Sequence, residues 1–293
     1  MTLGRILSIF GSILGWFLGA GPMRATAVRR LSITLPFASL PPHLDSTSVL
    51  LISDLHVNGH KDPALRVLDQ LAGAKPDILI TCGDLVESDR FIPDIAERLA
   101  RIEPQFGSFA VWGNHDALGR PQRKAPRWLS HEIRPLQAMA AELAKHGIHT
   151  LTNQCVKLSI RSSQIQIIGV GDRHIGMTDL DEAFAIADSD LFTILISHNP
   201  DVATELEDRR VDVTLSGHTH AGQIVPPIIG PLTLRTRYSL PRPSGLMYVH
   251  GRPLVVSAGV GTVGVPIRIN APADVTELHL LRVPSVSAKQ KTS

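Results

Sequence analysis

Groups that bind metals or transfer protons follow five apolar segments of this 293-residue chain. Each segment has the short, continuous aliphatic composition of a β-strand that is covered on both faces. The segments are SVLLIS (48–53), DILITC (77–82), FAVW (109–112), LFTILIS (191–197) and VDVTLS (211–216). The groups that follow them are Asp54-Leu55-His56, Gly83-Asp84, Gly113-Asn114-His115-Asp116, His198-Asn199 and Gly217-His218-Thr219-His220. Because ligands bind beyond the carboxyl ends of strands in open α/β sheets, we expect these groups to meet in one site.

The residue types in this set indicate a metal centre. They supply carboxylates, imidazoles and one amide, with no cysteine among them. Such hard oxygen and borderline nitrogen donors suit Mn, Fe or Zn better than Ca or Mg. The set is too large for one ion, and two ions bridged by a carboxylate would polarise a phosphoryl oxygen and generate a hydroxide near neutral pH. On an extended backbone, His218 and His220 would point to one face and serve one ion each.

Helix-forming stretches alternate with the strands, which favours an α/β layered domain. Pro-rich SLPPHL is expected to form a connecting turn. Helices are expected at 63–74, 93–102 and 130–146, a strand at 25–36, paired strands at 160–170, and short strands from residue 246 onward.

The composition excludes two classes of protein. The chain carries 29 basic and 27 acidic residues, for a formal net charge of +2, and shows no basic stripe. A nucleic-acid partner is therefore not expected. The two cysteines, Cys82 and Cys155, match no CxxC pattern and give no indication of a disulfide framework. The oligomeric state cannot be read from the sequence.

The amino-terminal segment is the most apolar part of the chain. Residues 6–23 carry no charge, and their number is near the lower limit for a helix across a bilayer. We expect residues 1–24 to anchor the protein in the inner (cytoplasmic) membrane. The arginines that follow favour a cytoplasmic location for the catalytic domain, residues 25–283. The polar tail, residues 284–293, is expected to be disordered. Export through a cleaved signal peptide is the alternative.

Taken together, the motifs resemble the calcineurin-like metallophosphoesterase superfamily over residues 48–225. The closing stretch from Ser244 onward resembles the ending of one bacterial branch. That branch includes membrane-associated phosphodiesterases and a UDP-2,3-diacylglucosamine pyrophosphatase of lipid A synthesis. The resemblance implies a layered α-β-β-α sandwich of two mixed sheets, with a site for two metals at the carboxyl ends of the strands.

The resemblance also implies a role for each site residue. The ligands of one metal would be Asp54, His56, Asp84 and His220. The ligands of the second would be Asp84 as a bridge, Asn114, His198 and His218. His115 matches the family's non-ligand histidine, which stabilises the phosphoryl oxygen or protonates the leaving group, and Glu87 or Asp116 would support its charge. Protein phosphatases of this superfamily carry an aspartate followed by arginine where this chain has Glu87 and Ser88, so a phosphoprotein substrate is not expected.

The expected activity is hydrolysis of a phosphodiester or pyrophosphate bond with two divalent ions, manganese favoured over iron and zinc. The resemblance and the apolar amino terminus point to a lipid-linked substrate such as UDP-2,3-diacylglucosamine. Soluble cyclic nucleotides and cell-wall phosphodiesters are alternatives, as is a non-catalytic scaffold, although every expected ligand position is filled. The substrate-binding residues are not identified. Arg173 and His174 either reach a phosphate or form a plain turn, and Gln223 is a candidate pocket residue.

Overall fold

The computed structural model describes residues 23–24, 28–119, 134, 136–232, 236 and 240–284. Two six-stranded sheets lie at its centre. The first sheet contains β2 (Val28–Phe37), β3 (Thr47–Ile52), β4 (Ile78–Cys82), β5 (Gly107–Val111), β6 (Ile148–Thr150) and β14 (Ala273–Arg282). The second sheet contains β7 (Gln154–Ile160), β8 (Ser163–Gly169), β9 (Phe192–Ile196), β10 (Val213–Ser216), β11 (Gly245–Val249) and β12 (Arg252–Val256). A separate antiparallel pair joins β1 (Met23–Arg24) to β13 (Ile267–Arg268).

Both sheets are mixed, as expected. The strand order of the first is β2-β14-β3-β4-β5-β6, and its only antiparallel pair is β14 with β3. The order of the second is β11-β12-β10-β9-β8-β7, with parallel pairs in the middle and an antiparallel pair at each end. Parallel strands in the centre explain the continuous apolar runs of the sequence, because both faces of these strands are buried.

The side chains of the strands alternate between two cores. Val49 and Leu51 of β3 pack between the sheets, whereas Leu50 and Ile52 pack against the helices, as the two-residue period of a strand requires. The helices over the first sheet are α1 (Pro63–Gln70), α2 (Ile92–Ala100) and α4 (Leu136–Lys145). The second sheet is covered more thinly, by α5 (Leu180–Phe184) and a 3₁₀ helix at Pro200–Thr204. The α-β-β-α sandwich is therefore confirmed.

Local sequence explains where the helices begin. Asp62 precedes α1 and accepts a hydrogen bond of 3.0 Å from the backbone N–H of Ala64, with Pro63 at the first helical position. The apolar residues of α2 recur at helical spacing on its buried face. Helix α1 ends at Gln70, earlier than expected, because the chain turns through Gly73 at a φ of 72°. Residues 130–133 and 135 of the expected third helix lie outside the described residues.

The carboxyl-terminal strands depart from the expectation of short strands throughout. Strand β14 has 10 residues and pairs with β2 over its whole length, from Ala273 opposite Val28 to Arg282 opposite Phe37. It also pairs with β3, so it lies inside the first sheet. Such pairing joins the two ends of the domain and cannot be read from local composition, because its partners are far apart in the sequence.

The lengths of the helices contradict the expected location at the inner membrane. Within the described ranges, no helix is long and apolar enough to cross a membrane. The longest of them, α4, has 10 residues, whereas a span requires about 20. Residues 1–22 of the expected anchor and residues 285–293 of the expected tail lie outside the described residues.

The register of the parallel strands brings the site residues together. Ile52 of β3 lies opposite Thr81 of β4, and Cys82 of β4 lies opposite Val111 of β5. The residues after these strands therefore emerge at one edge of the first sheet. In the second sheet Ile196 of β9 lies opposite Leu215 of β10, so the segments after these strands also emerge together.

Candidate metal centre

Three groups of potential ligands converge at the edge where these strands end, and in each group the ligand atoms lie within 4.8 Å of one another. The first contains Asp54, His56 and His220, and the second contains Asp84, His198 and His218. The third overlaps both and contains His56, Asp84 and His115. Asp84 connects the groups, because its Oδ2 lies 3.4 Å from Nε2 of His56 and 3.3 Å from Nε2 of His198. A carboxylate between two sets of imidazoles is the arrangement expected of a bridging ligand.

The first group brings nitrogen atoms of two distant histidines into contact. Nε2 of His56 lies 3.0 Å from Nε2 of His220, which in turn lies 3.4 Å from Oδ1 of Asp54. Ligand atoms bound at about 2.0–2.2 Å to one small ion are separated by about 3–3.5 Å. Nε2 of His56 and Oδ1 of Asp54 are 4.0 Å apart, still within the about 4.2 Å that two ligands on opposite sides of one ion can span. The spacing of this group therefore fits a single divalent ion.

The second group contains a buried polar atom that fits a metal ligand. Nε2 of His198 lies 3.1 Å from Nδ1 of His218. Asn114, the first residue of α3 (Asn114–Leu118), has a buried Oδ1 with no hydrogen-bond partner among the described residues. An unsatisfied buried oxygen is costly unless something binds it, and an amide oxygen is a suitable ligand for a divalent ion.

The ring orientations of two histidines also suit metal binding. Nδ1 of His198 lies 2.7 Å from the carbonyl oxygen of Cys82, and Nδ1 of His56 lies 2.8 Å from Oε1 of Glu87. Both contacts place the ring proton on Nδ1, because a carbonyl or carboxylate oxygen can only accept. The Nε2 lone pairs are then available to a cation, as in most histidine metal sites. The residues present therefore fit divalent metals.

Many of the candidate ligands have a left-handed backbone. Positive φ values are found at Asp54 (53°), His56 (48°), Asp84 (52°), His218 (72°) and His220 (50°). For residues with a Cβ this conformation costs on the order of 1–2 kcal/mol each, and such strain is concentrated at functional sites. The expectation of an extended His218-Thr219-His220 segment is therefore wrong. The chain turns here, and the turn directs the two imidazoles into different groups.

Two glycines allow the site to be this compact. A Cβ on Gly217 would collide with Oγ of Ser53 and Oδ2 of Asp54. A Cβ on Gly83 would lie 2.6 Å from the backbone nitrogen of Gly113, and Gly83 also has a φ of 78°. Only glycine permits such close approaches of the backbone.

The electrostatic environment favours an ionised bridge. Burial raises the pKa of Asp84, but the charges of His198 and His56 outweigh it and hold this pKa well below its usual range. Burial lowers the pKa of His198, whereas the carboxylates of Asp84 and Asp54 raise it well above its usual value overall. The carboxylates of Asp84 and Asp54 therefore concentrate negative charge, which the proton of His198 balances here. A divalent cation bound between them would balance this charge more effectively.

One carboxylate contacts both His56 and His115. Oε1 of Glu87 lies 2.8 Å from Nδ1 of His56 and 2.9 Å from Nδ1 of His115. Burial raises the pKa of Glu87, but the hydrogen bonds from His115 and His56 outweigh it and lower the pKa to about 2. Glu87 thus stays ionised and can orient the two imidazoles together.

Asp116, the other carboxylate considered as a support for His115, has different partners. Its Oδ1 accepts hydrogen bonds from the backbone N–H groups of Leu85 (2.8 Å) and Val86 (3.0 Å). Its Oδ2 accepts one from the N–H of Gly113 (3.0 Å). Burial and the neighbouring Asp84 raise its pKa to about 6. Asp116 ties together the loops that carry the site, and Glu87 is the carboxylate that contacts His115.

Two further residues at the site have no clear signal in the sequence. Ser53 donates a hydrogen bond of 2.5 Å to Oδ2 of Asp54. Arg268 is 1% exposed and lies against His220, with Nη2 3.3 Å from Nδ1 of that ring. Nη2 of Arg268 also donates to the carbonyl oxygens of Ala258 (2.8 Å) and Gly261 (2.6 Å). The one hint is that Arg268 is the only charged residue in an otherwise apolar stretch, VGVPIRINAP.

The three residues considered for substrate binding have different partners in the structure. Gln223 binds backbone groups, with Nε2 donating to the carbonyl oxygens of Val263 (3.0 Å) and Val265 (2.9 Å). Nε of Arg173 lies 2.8 Å from Oε1 of Glu205. His174 is exposed, and its ring lies 5.5 Å from that of His218, centroid to centroid.

Comparison of the sequence with known proteins identifies its family. A family model described as calcineurin-like phosphoesterase matches residues 47–222, more than half of the chain. The uncharacterized metallophosphoesterase YkoQ of Bacillus subtilis (strain 168) is 27% identical over 241 residues, which cover 80% of this chain and 84% of that protein. A transmembrane protein with metallophosphoesterase domain from Bos taurus is 28% identical over 290 residues, which cover 93% of this chain but 60% of the bovine protein.

Among solved structures, the phosphopantetheinyl hydrolase PptH from Mycobacterium tuberculosis is similar, with a TM-score of 0.46 and 14% identity. The alignment covers 78% of this chain and 97% of that one. The match to the family model, which covers more than half of the chain, establishes the family. The chain belongs to the calcineurin-like phosphoesterase family and is a phosphoester hydrolase.

Proposed function

We propose that this protein hydrolyses a phosphodiester or pyrophosphate bond with the help of two divalent ions. Among the candidate ions we favour manganese over iron and zinc. The observation that carries the proposal is the shared position of Asp84, whose Oδ2 lies within 3.4 Å of one imidazole from each ligand group. The imidazoles of His56 and His198 on the two sides of this carboxylate fall into different groups, which favours two ions over one. Two ions held there would supply Lewis acidity toward a phosphoryl oxygen and a hydroxide nucleophile near neutral pH.

The first two groups support the ligand set that we propose. We assign Asp54, His56, Asp84 and His220 to the first ion, and Asp84, Asn114, His198 and His218 to the second. Nitrogen and oxygen ligands without thiolates are compatible with Mn, Fe and Zn, among which cellular supply and geometry decide. The metal requirement is tested by restoring activity to chelator-treated protein with each ion separately.

The partly exposed His115 is the residue that we assign to proton transfer. Its side chain is 12% exposed, whereas that of His56 is 1% exposed, so His115 lies closer to the entrance of the site. Glu87 binds its Nδ1 and stabilises the imidazolium. The remaining ring nitrogen can then donate to a phosphoryl oxygen or to the oxygen of the leaving group, the role of a general acid.

A lipid-linked substrate is favoured by one observation near the site. Two loops present large apolar side chains to solvent: Ile228 (106% exposed), Ile229 (74%) and Leu232 (58%) on one, and Val265 (47%) on the other. Gln223, three residues after His220, donates from Nε2 to the backbone carbonyl oxygen of Val265. Several large exposed apolar side chains on loops that follow a site are a feature of surfaces that bind apolar ligands. We therefore include UDP-2,3-diacylglucosamine among the substrates to be tested.

The test is a substrate panel with the full-length protein in detergent and Mn²⁺. It contains bis(p-nitrophenyl) phosphate, p-nitrophenyl phosphate, a cyclic nucleotide, UDP-2,3-diacylglucosamine and its deacylated analogue. We expect the diester or the pyrophosphate to be cleaved, with loss of activity after chelation. Release of UMP from the acylated substrate alone would support the lipid-linked proposal. Cleavage of the monoester alone would contradict the proposed bond type, and no cleavage by metal-loaded protein would contradict the proposed function.

A further inference from the structure

We propose that His174 is a substrate-binding residue that donates a hydrogen bond to a phosphoryl oxygen of the phosphodiester or pyrophosphate. This inference rests on the proposed function, because it places the substrate phosphate at the second ligand group. His174 is exposed, whereas His218 is 2% exposed, and the two ring centroids are 5.5 Å apart. His174 therefore lies at the solvent rim directly beside a candidate ligand.

The turn that carries His174 is held rigidly at its base. Oδ1 of Asn153 accepts hydrogen bonds from the N–H groups of Gly171 (2.9 Å) and Asp179 (3.1 Å). Nδ2 of Asn153 donates to the carbonyl oxygen of Met177 (3.0 Å). One side chain, 8% exposed, thus binds both ends of the turn. The backbone of His174 is therefore pre-organised, and only side-chain freedom is lost when the residue binds a ligand.

Contacts inside the turn fix its shape. Oδ1 of Asp172 accepts a hydrogen bond from the N–H of Ile175 (3.1 Å), and the N–H of Met177 donates to the carbonyl oxygen of Asp172 (2.9 Å). Arg173, the residue before His174, lies with Nε 2.8 Å and 3.0 Å from the two carboxylate oxygens of Glu205. The ring of the next residue, His174, lies beside that of His218, a residue of the metal centre.

Imidazole chemistry suits a phosphate at this position. In either its neutral or its protonated form, histidine retains at least one N–H donor. A hydrogen bond to an anionic phosphoryl oxygen is charge-assisted and stronger than a neutral one. A donor fixed in place before the substrate arrives also stabilises the charge that develops on the phosphoryl group. The buried ligands would hold the ions that contact the phosphoryl group, and His174 adds a direct hydrogen bond from the protein to the same group.

The experiment compares wild type with His174→Ala, with His174→Gln, and with His43→Ala as a matched control. His43 is also exposed but lies before β3, at the opposite edge of the first sheet. We would measure the metal content, the Kd of inorganic phosphate for the Mn-loaded protein, and KM and kcat for bis(p-nitrophenyl) phosphate. We expect His174→Ala to weaken phosphate binding and raise KM by about tenfold with both ions retained. His174→Gln, which keeps an N–H donor, should recover part of the loss.

Several results would overturn the inference. Phosphate affinity and KM within about twofold of wild type in His174→Ala would show that the residue does not contact the substrate. Loss of an ion from His174→Ala would make His174 a metal ligand instead. Phosphate binding without any hydrolysis by wild type would contradict the proposed function, while the phosphate measurement would still test His174. A wild-type protein that binds no phosphate would overturn both.

Discussion

His56 and His220 present their Nε2 atoms 3.0 Å apart, although 164 residues separate them in the chain. At that distance only one of the two nitrogens can carry a proton, which it then shares with the other. A divalent cation bound by both lone pairs would replace this shared proton. Because His56 follows a strand of the first sheet and His220 follows a strand of the second, this contact also holds the two sheets at the site. Metal binding is therefore expected to stabilise the fold.

The first prediction concerns Asp84. Asp84→Asn removes the charge between the two ligand groups, but its amide oxygen can still accept the hydrogen bond of 2.8 Å that Oδ1 receives from the N–H of His115. We expect the fold to survive while the bound metal falls from two ions toward none and activity is almost lost. Elemental analysis of the purified protein measures this. Asp69→Asn, on the surface of α1, is the control, and two ions in Asp84→Asn would refute the bridging role.

The second prediction separates proton transfer from metal binding. His115→Ala should retain both ions, because the assigned ligands are untouched, but lose about 10²–10⁴-fold in kcat, the range for a general acid. Steady-state kinetics with bis(p-nitrophenyl) phosphate and metal analysis of the same samples test this. His43→Ala should behave as wild type. If His115→Ala loses an ion, His115 is a ligand and not a proton donor.

The third prediction concerns the close approach of Gly217 to the first ligand group. In Gly217→Ala the added methyl group would collide with Ser53 and Asp54, so Asp54 must move. We expect weaker binding of one ion and a loss of about 1–3 kcal/mol in stability, as for other overpacked sites. Gly59→Ala is a matched control, because nothing lies within 4 Å of that position. Normal metal affinity in Gly217→Ala would show that the site tolerates the displacement.

The fourth prediction uses the pKa of Glu87, which the contacts with His115 and His56 lower from 4.5 to about 2 despite burial. A carboxylate with a depressed pKa stabilises the fold fully above its unfolded pKa and loses that contribution as the pH falls through the folded value. In chelator-treated protein, Glu87→Gln should therefore be destabilising at pH 7, and the difference from wild type should shrink between pH 4.5 and 2.

Urea unfolding at several pH values measures this difference in the free energy of unfolding. Glu97→Gln, on the exposed face of α2, is the control and should show little change at any pH. A destabilisation by Glu87→Gln that stayed constant from pH 7 to pH 3 would mean that its ionisation does not contribute.

The fifth prediction concerns Arg268. Its guanidinium donates hydrogen bonds of 2.6–3.1 Å to the carbonyl oxygens of Ala258, Gly259, Gly261 and Ala271. Arg268→Met would leave several buried carbonyls unpaired, each at about 1–3 kcal/mol. We expect a loss of at least about 3 kcal/mol in the free energy of unfolding and weaker binding of the first ion. Arg66→Met, on the exposed face of α1, should stay within about 0.5 kcal/mol; a similar value for Arg268→Met would contradict its role.

Much of this molecule follows from local sequence. The apolar runs that end in Asp54, Asp84, Asn114, His198 and His218 identify buried strands, because only residues covered on both faces are apolar at every position. Parallel strands end at one edge of a sheet, so the nature of these residues and their position predict a metal centre. The α-β-β-α sandwich follows from the resemblance that the same motifs carry.

Other features depend on contacts between distant residues, which no local pattern encodes. Asp116 is next to His115 in the sequence, whereas Glu87 lies 28 residues before it. Only the packing of the loops directs Glu87 to the ring and Asp116 to backbone N–H groups. The left-handed backbone at His218 and His220 arises because the strand end must turn between the two ligand groups. Arg268 and His174 reach the site through long-range packing, since their own neighbours in sequence carry no metal-binding motif. Residue types and strand ends were therefore readable from the chain, while the partner of each side chain was decided by the tertiary structure.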